Sequence, residues 1–373
     1  MKQITVLHLI PGLGIGGAEK VVLALHRNTD STLFRSLILH WGGQQALCEH
    51  EDTQGAIVRK TLDRVISISS LVKLCRHVKR QGVDIIQTHL IDADLLGFIV
   101  AVISRLPFVI TIHSFPFPVE KRHGFRYRIF SLFHGRFVCV SQTVKNHFSR
   151  ITGITEAKID VVHNGIPIEA FSIHLASSQK EDLRRSLAIP DNHHIVGTVA
   201  RLIEDKGHRY LLEAVPAVLK AHRETTFLIV GEGELMGQLI DLCKKLRIEK
   251  NVIFTGSQDD IPALLDIMDI FVYPTFREAL GISVIEAMAM GKAIVATNDA
   301  AIPELITHEK EGLLIPPGTP DQTSWHIIDL LNHPEKRDAL GKAARARSFS
   351  FTAENMTRSM EAVYRKVLMN SSR

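Results

Sequence analysis

The feature that most constrains this chain is the repeated alternation of short aliphatic runs with stretches of amphipathic, helical spacing. One series of runs covers residues 4–10, 36–40, 85–89, 108–113, 137–140 and 159–163. A second covers residues 195–200, 226–230, 252–255, 270–273, 293–296 and 312–315. Most are continuous rather than alternating, as strands covered on both faces require. Such strands separated by helices predict parallel sheets in doubly wound α/β domains. The polar stretch 167–192 divides the two series and reads as a linker with one helix over about 180–187. At 373 residues the chain has the length for two domains. The expected architecture is two Rossmann-like domains, 1–168 and 169–351, facing an interdomain cleft with their strand-end loops.

Several classes of protein are disfavoured at once. Cys48, Cys75, Cys139 and Cys243 are far apart and form no C-x-x-C pair, so neither a disulfide framework nor a zinc site is expected, and a reducing compartment fits best. Cys139 lies within an apolar run and reads as a core residue. The run 4–10 is short and passes into a glycine-rich turn, which favours a first strand over a secretion signal. No stretch has the roughly 18 apolar residues of a membrane span; 95–103 comes nearest and reads as a buried helix. A net charge of +4 does not by itself imply nucleic acid, and no nucleic-acid partner is expected. The charge is uneven, however. Lys121, Arg122, Arg126, Arg128, Arg136, Lys145 and Arg150 are interleaved with Phe125, Tyr127, Phe130 and Phe133. The stretch from Lys121 to Phe133 reads either as a solvated helix face or as a contact for anionic lipid or a charged glycolipid.

Three constellations carry chemistry. Gly12-x-Gly14-x-x-Gly17 follows the first strand and opens a helix, as in a dinucleotide fingerprint. The second strand ends Leu39-His40-Trp41-Gly42 without the acid that would bind a ribose, so a tight turn or a phosphate or acceptor site is the better reading. Asp92-x-Asp94 stands at a helix start, where aspartates cap exposed amides; capping is expected there, not metal binding. Lastly, Glu278 and Glu286 are separated by seven residues, with Gly281 opening a helix between them. The N–H groups near Ala279, Leu280 and Gly281 would point at an anion and form a diphosphate cradle.

That last segment resembles the E-x7-E signature of the family 4 retaining glycosyltransferases, which share the two-domain GT-B fold. Other segments resemble the family in the same order: Gly16-Gly17-Ala18-Glu19, Thr111-Ile112-His113, His163-Asn164-Gly165-Ile166, Ala200 to Gly207, Gly231-Glu232-Gly233, Phe254-Thr255-Gly256, Ile302-Pro303-Glu304 and Gly312-Leu313-Leu314. The resemblance implies that Arg201 and Lys206 bind the donor diphosphate and that Glu286 accepts from the ribose hydroxyls. Glu278 would bind hydroxyls of the transferred sugar, and His113 would contact that sugar. Gly16 and Gly17 would bring backbone close to phosphate or acceptor, with Gly231 and Gly256 on the donor side. The final helical pattern, within 352–373, resembles the family's terminal helix that returns to the first domain. His89 stays open between a structural and an acceptor-facing role.

Ala279 departs from the family's usual glycine, Asn298-Asp299-Ala300-Ala301 replaces a glycine-richer loop, and Gly135-Arg136 stands where an acid is common. None removes a residue of the cradle. The expected activity is metal-independent, retaining transfer of a hexosyl group to a glycan or glycolipid, in cell-surface polysaccharide or lipopolysaccharide synthesis. A UDP-sugar is the expected donor, with GDP open, and no cofactor is implied. The expected location is cytoplasmic, peripheral on the inner face of the plasma membrane if the basic stretch binds lipid. A sugar-nucleotide epimerase or hydrolase on the same fold, or a non-catalytic nucleotide-sugar-binding protein, are the alternatives.

Overall fold

A computed structural model describes residues 3–14, 16–42, 57–59, 68–115 and 121–371. Contacts divide the chain into two units, Met1–Ile166 with Thr352–Arg373, and Pro167–Phe351.

The first unit begins β1 (Ile4–Gly12), α1 (Gly17–Asn28), β2 (Phe34–Gly42), β3 (Ile57–Arg59) and α2 (Ile68–Gln81). It continues β4 (Ile85–His89), α3 (Ile91–Ser104), β5 (Phe108–Ile112), α4 (Lys121–Phe130), β6 (Gly135–Cys139), α5 (Gln142–Thr152) and β7 (Ile159–Val161). All pairings are parallel, in the order β3-β2-β1-β4-β5-β6-β7. The order reverses direction between β1 and β4, which opens a crevice at their carboxyl ends. Val6, Leu9, Ile38, Ile86 and Ile110 are buried along the strands, as a sheet covered on both faces demands. Cys139 is buried among them, and its burial pushes the thiol up, the state of an inert core residue. Cys48 lies outside the described residues.

The second unit runs α6 (Ser177–Ser186), β8 (His194–Val199), α7 (His208–Ala221), β9 (Thr225–Val230), α8 (Met236–Leu246), β10 (Val252–Gly256) and α9 (Ile261–Ile267). It then runs β11 (Ile270–Tyr273), α10 (Ile282–Ala289), β12 (Ala293–Thr297), α11 (Ile302–Leu305), β13 (Leu313–Ile315), α12 (Pro320–Asn332) and α13 (Pro334–Ser348). Its parallel sheet has the order β10-β9-β8-β11-β12-β13, with the reversal between β8 and β11. Leu211, Val215, Phe227, Ile229, Val272, Val295, Ile327 and Leu330 belong to one buried cluster beneath the helices.

The last helix, α14 (Ala353–Ser371), belongs to the first unit. The Asp30 amide donates to Glu361 at 3.0 Å, Lys366 pairs with Asp160 at 2.8 Å, and the Tyr364 hydroxyl donates to Gln87. Gly165 makes this return possible. A Cβ there would stand 2.1 Å from the Thr352 carbonyl oxygen, while Ala353 N donates to Ile166 O at 2.9 Å. Its role is close approach of two stretches of backbone.

Three expectations need correction, and one strand was missed. The helix read at 180–187 is Ser177–Ser186, and the stretch around it is anchored rather than loose. Asp266 accepts from His174 Nδ1 at 2.7 Å and Leu175 N at 2.8 Å and pairs with Lys180 at 3.1 Å, while Ile168 and Phe171 are buried. Strand β3 was not foreseen. The 95–103 run is not wholly buried: Leu96 and Val100 face inward, but Leu95, Val102 and Ile103 are exposed. Asp94 is no cap. Helix α3 has no side-chain cap, and buried Asp94 accepts from Thr88 Oγ1 at 2.6 Å and the Tyr127 hydroxyl at 2.7 Å. Burial pushes its carboxyl up to about 6. Among the described residues no helix is long and apolar enough to cross a membrane.

Candidate functional site

The site of the second unit grows from the loops that leave β8 and β11, the two strands flanking its sheet reversal. After β8 the chain passes Ala200 and Arg201 into a single 3-10 turn, Glu204–Lys206, and then Gly207 at φ +65°. A Cβ on Gly207 would lie 2.0 Å from the Pro274 carbonyl oxygen. Glycine is therefore what lets this turn lie flat on the end of β11. The contact is held by Asp205, whose carbonyl accepts from Phe276 N at 2.8 Å and Thr275 Oγ1 at 2.9 Å.

This docking puts Lys206 against Glu278. Lys206 Nζ stands 2.5 Å from Glu278 Oε2, and the Tyr273 hydroxyl donates to the same oxygen at 2.6 Å. Lys206 Nζ also reaches the Tyr273 oxygen at 3.4 Å. Tyr273 is buried, and its phenol is pushed well above 10 by desolvation and then by Glu278 and Glu286, with Arg201 opposing. It thus stays a hydrogen-bond donor, and all four charged groups act on it. Nothing about Tyr273 singled it out in the sequence. Its available signal was a polar tip at the end of an otherwise apolar strand, five residues before Glu278.

Glu286 lies on α10 and is 3% exposed, so it is no surface glutamate of a capped helix. Gly281, at φ +101°, is the N-cap and turns the chain into α10, whose first amides have no acceptor within the helix. The Glu278 carbonyl accepts from Ala301 N at 3.2 Å, so the loop that replaces the family's glycines braces the first glutamate. Ala300 in that loop adopts φ +52°, which costs a residue with a Cβ about 1–2 kcal/mol. Ala279 is half-buried and Arg201 exposed.

Two glycines assigned to the donor side serve packing in the first instance. A Cβ on Gly231 would stand 2.0 Å from the Ala200 carbonyl oxygen, and Gly231 N donates to Gly256 O at 2.9 Å. They hold the β9 and β10 ends against the segment that carries Arg201. In the first unit, Gly16 is the N-cap of α1 in extended backbone, and the Glu19 carboxylate occupies the space a Cβ would take. An anion at Gly16 and Gly17 would meet that carboxylate. His113 stands one residue past β5, half-buried, with Nε2 2.9 Å from His89 Nδ1.

A doubly wound unit thus gathers a lysine, two glutamates, a tyrosine and a helix N-terminus at its sheet reversal. The sequence profile "Glycosyl transferases group 1" matches residues 179–347, and "Glycosyltransferase Family 4" matches residues 15–170. The chain belongs to this glycosyltransferase family, and its fold is GT-B. A glycosyltransferase of Methanocaldococcus jannaschii is 30% identical over 257 residues, 66% of this chain and 64% of that protein's own length. The UDP-Gal:alpha-D-GlcNAc-diphosphoundecaprenol alpha-1,3-galactosyltransferase of Escherichia coli is 29% identical over 280 residues, 71% of this chain and 72% of that one. Anabaena HepE, solved in complex with UDP and glucose, superposes with a TM-score of 0.85 at 21% identity, covering 97% of this chain and 99% of that one.

Proposed function

We propose that this chain is a retaining glycosyltransferase that moves a hexosyl group from a UDP-sugar to a hydroxyl of a glycan or glycolipid, in the synthesis of cell-surface polysaccharide or lipopolysaccharide. The observation that carries the reading is the cluster of Lys206, Glu278 and Tyr273 at the β8–β11 reversal, with buried Glu286 and Arg201 acting on the same phenol. Lys206 and Arg201 bind the diphosphate, each charge-assisted bond being worth about 1.5–3 kcal/mol. The amides of Ala279, Leu280 and Gly281 complete the cradle, with Gly231 and Gly256 shaping its floor. Glu286 accepts from the ribose hydroxyls and Glu278 from the sugar. The role of His113 toward the sugar rests on the resemblance.

In the reaction the bond from the anomeric carbon to the diphosphate oxygen breaks, and the acceptor oxygen bonds to that carbon from the same face. The acceptor proton passes to a diphosphate oxygen. The cations and the α10 N-terminus stabilise the charge that grows on the leaving group, so the scheme calls on no metal. Activity is expected to survive EDTA. The E. coli relative, which by its name takes galactose from UDP and acts on a diphosphoundecaprenol-linked sugar, supports both the donor and the acceptor class.

The test is a screen of UDP- and GDP-hexoses by thermal shift, followed by transfer to lipid-linked acceptors. Transfer with retained anomeric configuration is expected. Consumption of donor without acceptor would instead mark a hydrolase or epimerase, and binding without turnover a binding protein.

We further propose a cytoplasmic location, peripheral to an anionic membrane, with the stretch from Lys121 to Phe133 as the contact. Phe125 is 66% and Leu132 80% exposed, beside exposed Ile129, Phe133 and Arg128; the side chains of Lys121 and Arg122 lie outside the described residues. Aromatic and aliphatic tips among cations suit a lipid headgroup layer. Cys75, Cys139 and Cys243 are free thiols, which suits a reducing compartment. Sedimentation with phosphatidylglycerol vesicles is expected to weaken with salt; binding equal to that on neutral vesicles would retire the contact.

A further inference from the structure

Three histidines of the first unit stand on neighbouring strands and touch in series. His8 lies in β1, His89 ends β4, and His113 follows β5. Register pairs His8 with Gln87 and His89 with Thr111. Side chains alternate faces with a period of two, so Gln87 and His89 share a face. Each imidazole is therefore set two residues further along than the position facing the previous one. The result is a staircase of rings rising toward the carboxyl ends of the strands. His8 Nδ1 is 3.2 Å from His89 Nε2, and His89 Nδ1 is 2.9 Å from His113 Nε2. His8 and His89 are fully buried, at 1% and 0% exposure.

Burial holds the rings neutral. It lowers His8 to about 3 and His113 to about 4, and takes His89 well below 6.5 with help from its two neighbours. A neutral imidazole has one N–H and one bare nitrogen. His89 can then donate at one end only, and the series has just two self-consistent states. In the first, His8 donates to His89 and His89 donates to His113, whose own proton must sit on Nδ1. In the second, His113 donates to His89 and His89 to His8, which leaves His113 Nδ1 bare. That Nδ1 is shielded from solvent and has no hydrogen-bond partner among the described residues. It is the open end of the series.

We propose that His8 and His89 are positioning residues that set the tautomer of His113 through this series, so that its Nδ1 is offered as a defined donor or acceptor. The consequence for sugar recognition rests on the transferase reading; the tautomer itself does not. A sugar hydroxyl can answer either form, but a set tautomer aligns the contact before the ligand arrives.

Replacing His8, which lies one ring away from His113, tests this in the full chain labelled with 15N-histidine. Leu and Met fill similar volume, but Met offers a weak acceptor and Leu none. With His8→Met the His89 proton is drawn to Nε2 and the His113 proton to Nε2. With His8→Leu that pull is gone: either state leaves one orphaned N–H, on His89 Nε2 or on His113 Nδ1, so the His113 proton shifts back toward Nδ1 relative to the Met variant. Long-range 1H–15N spectra are expected to separate the two variants by roughly five- to tenfold in His113 tautomer ratio, in that direction. Identical His113 spectra in both folded variants would overturn the proposal. If neither variant folds, the wild-type protein decides: 15N–15N couplings across both His–His hydrogen bonds are required, and their absence overturns it. Transfer kinetics separate the two readings. A changed tautomer with kcat unchanged removes His113 from the sugar and leaves the series intact, whereas a wild-type chain without transfer refutes the function alone.

Discussion

At the sheet reversal of the second unit a lysine, a glutamate and a tyrosine share hydrogen bonds; at the reversal of the first, three imidazoles do. Lys206 and Glu278 retain 14% and 13% side-chain exposure. Partial hydration and mutual contact suit a site for a diphosphate and polar hydroxyls. His8 and His89 have no such hydration and no acid among their hydrogen-bond partners, so burial strips them of charge. One topology thus supports two electrostatic solutions, chosen by how much water reaches the strand ends and by what stands opposite. The first suits charge stabilisation, the second fixed orientation.

The comparison breaks most directly at Lys206. Lys206→Ala is expected to lower kcat by about 10²–10³, as for loss of one preorganised donor, while the variant melts cooperatively. Near wild-type transfer would mean that the charged cluster is structural.

Acid should separate the units next. His8 and His113 have folded-state pKa values of about 3 and 4, below the unfolded 6.5. The unfolded chain then binds more protons, so their contribution is complete above pH 6.5 and lost progressively as pH falls toward 4 and 3. Asp94, raised to about 6, works oppositely and gains stability as pH falls from 6 toward 4. The histidines prevail, and the first unit is expected to lose on the order of 3 kcal/mol between pH 7 and 4.5. Among the described residues the second unit has as counterparts buried His208, lowered to about 4, and half-buried His326, lowered by desolvation. Hydrogen exchange, corrected for intrinsic rates and read on peptides from each unit, is expected to show the larger loss in the first. An equal loss in both would erase the contrast.

The smallest effect is expected from Tyr273→Phe. Glu278 loses one of two donors but keeps Lys206, so about 1–2 kcal/mol of donor affinity, roughly tenfold in Kd, should be lost. An unchanged Kd would reduce the phenol to filler.

Much of this was legible before any coordinates. Continuous aliphatic runs located twelve of the strands to within two or three residues, because a strand buried on both faces must be apolar throughout. Strand β3 escaped because Ile57–Arg59 is too short to carry a pattern and acquires its conformation by pairing with Ile38–His40. The start of α6 was placed three residues late because nothing apolar marks it; none of its residues is buried. Asp94 looked like a cap because helix starts favour aspartate, yet its partners are a threonine on β4 and a tyrosine on α4.

The sequence alone determined the two parallel sheets, the strand ends that carry the motifs, and the glutamate pair around the α10 N-terminus. These are local or periodic properties, written in neighbours a few residues apart. Only the tertiary structure decided that Tyr273 joins Lys206 to Glu278, that Gly165 admits the returning chain, and that His8, His89 and His113 meet. Those facts depend on strand register and on side chains brought together across dozens of residues, and no local pattern encodes a register.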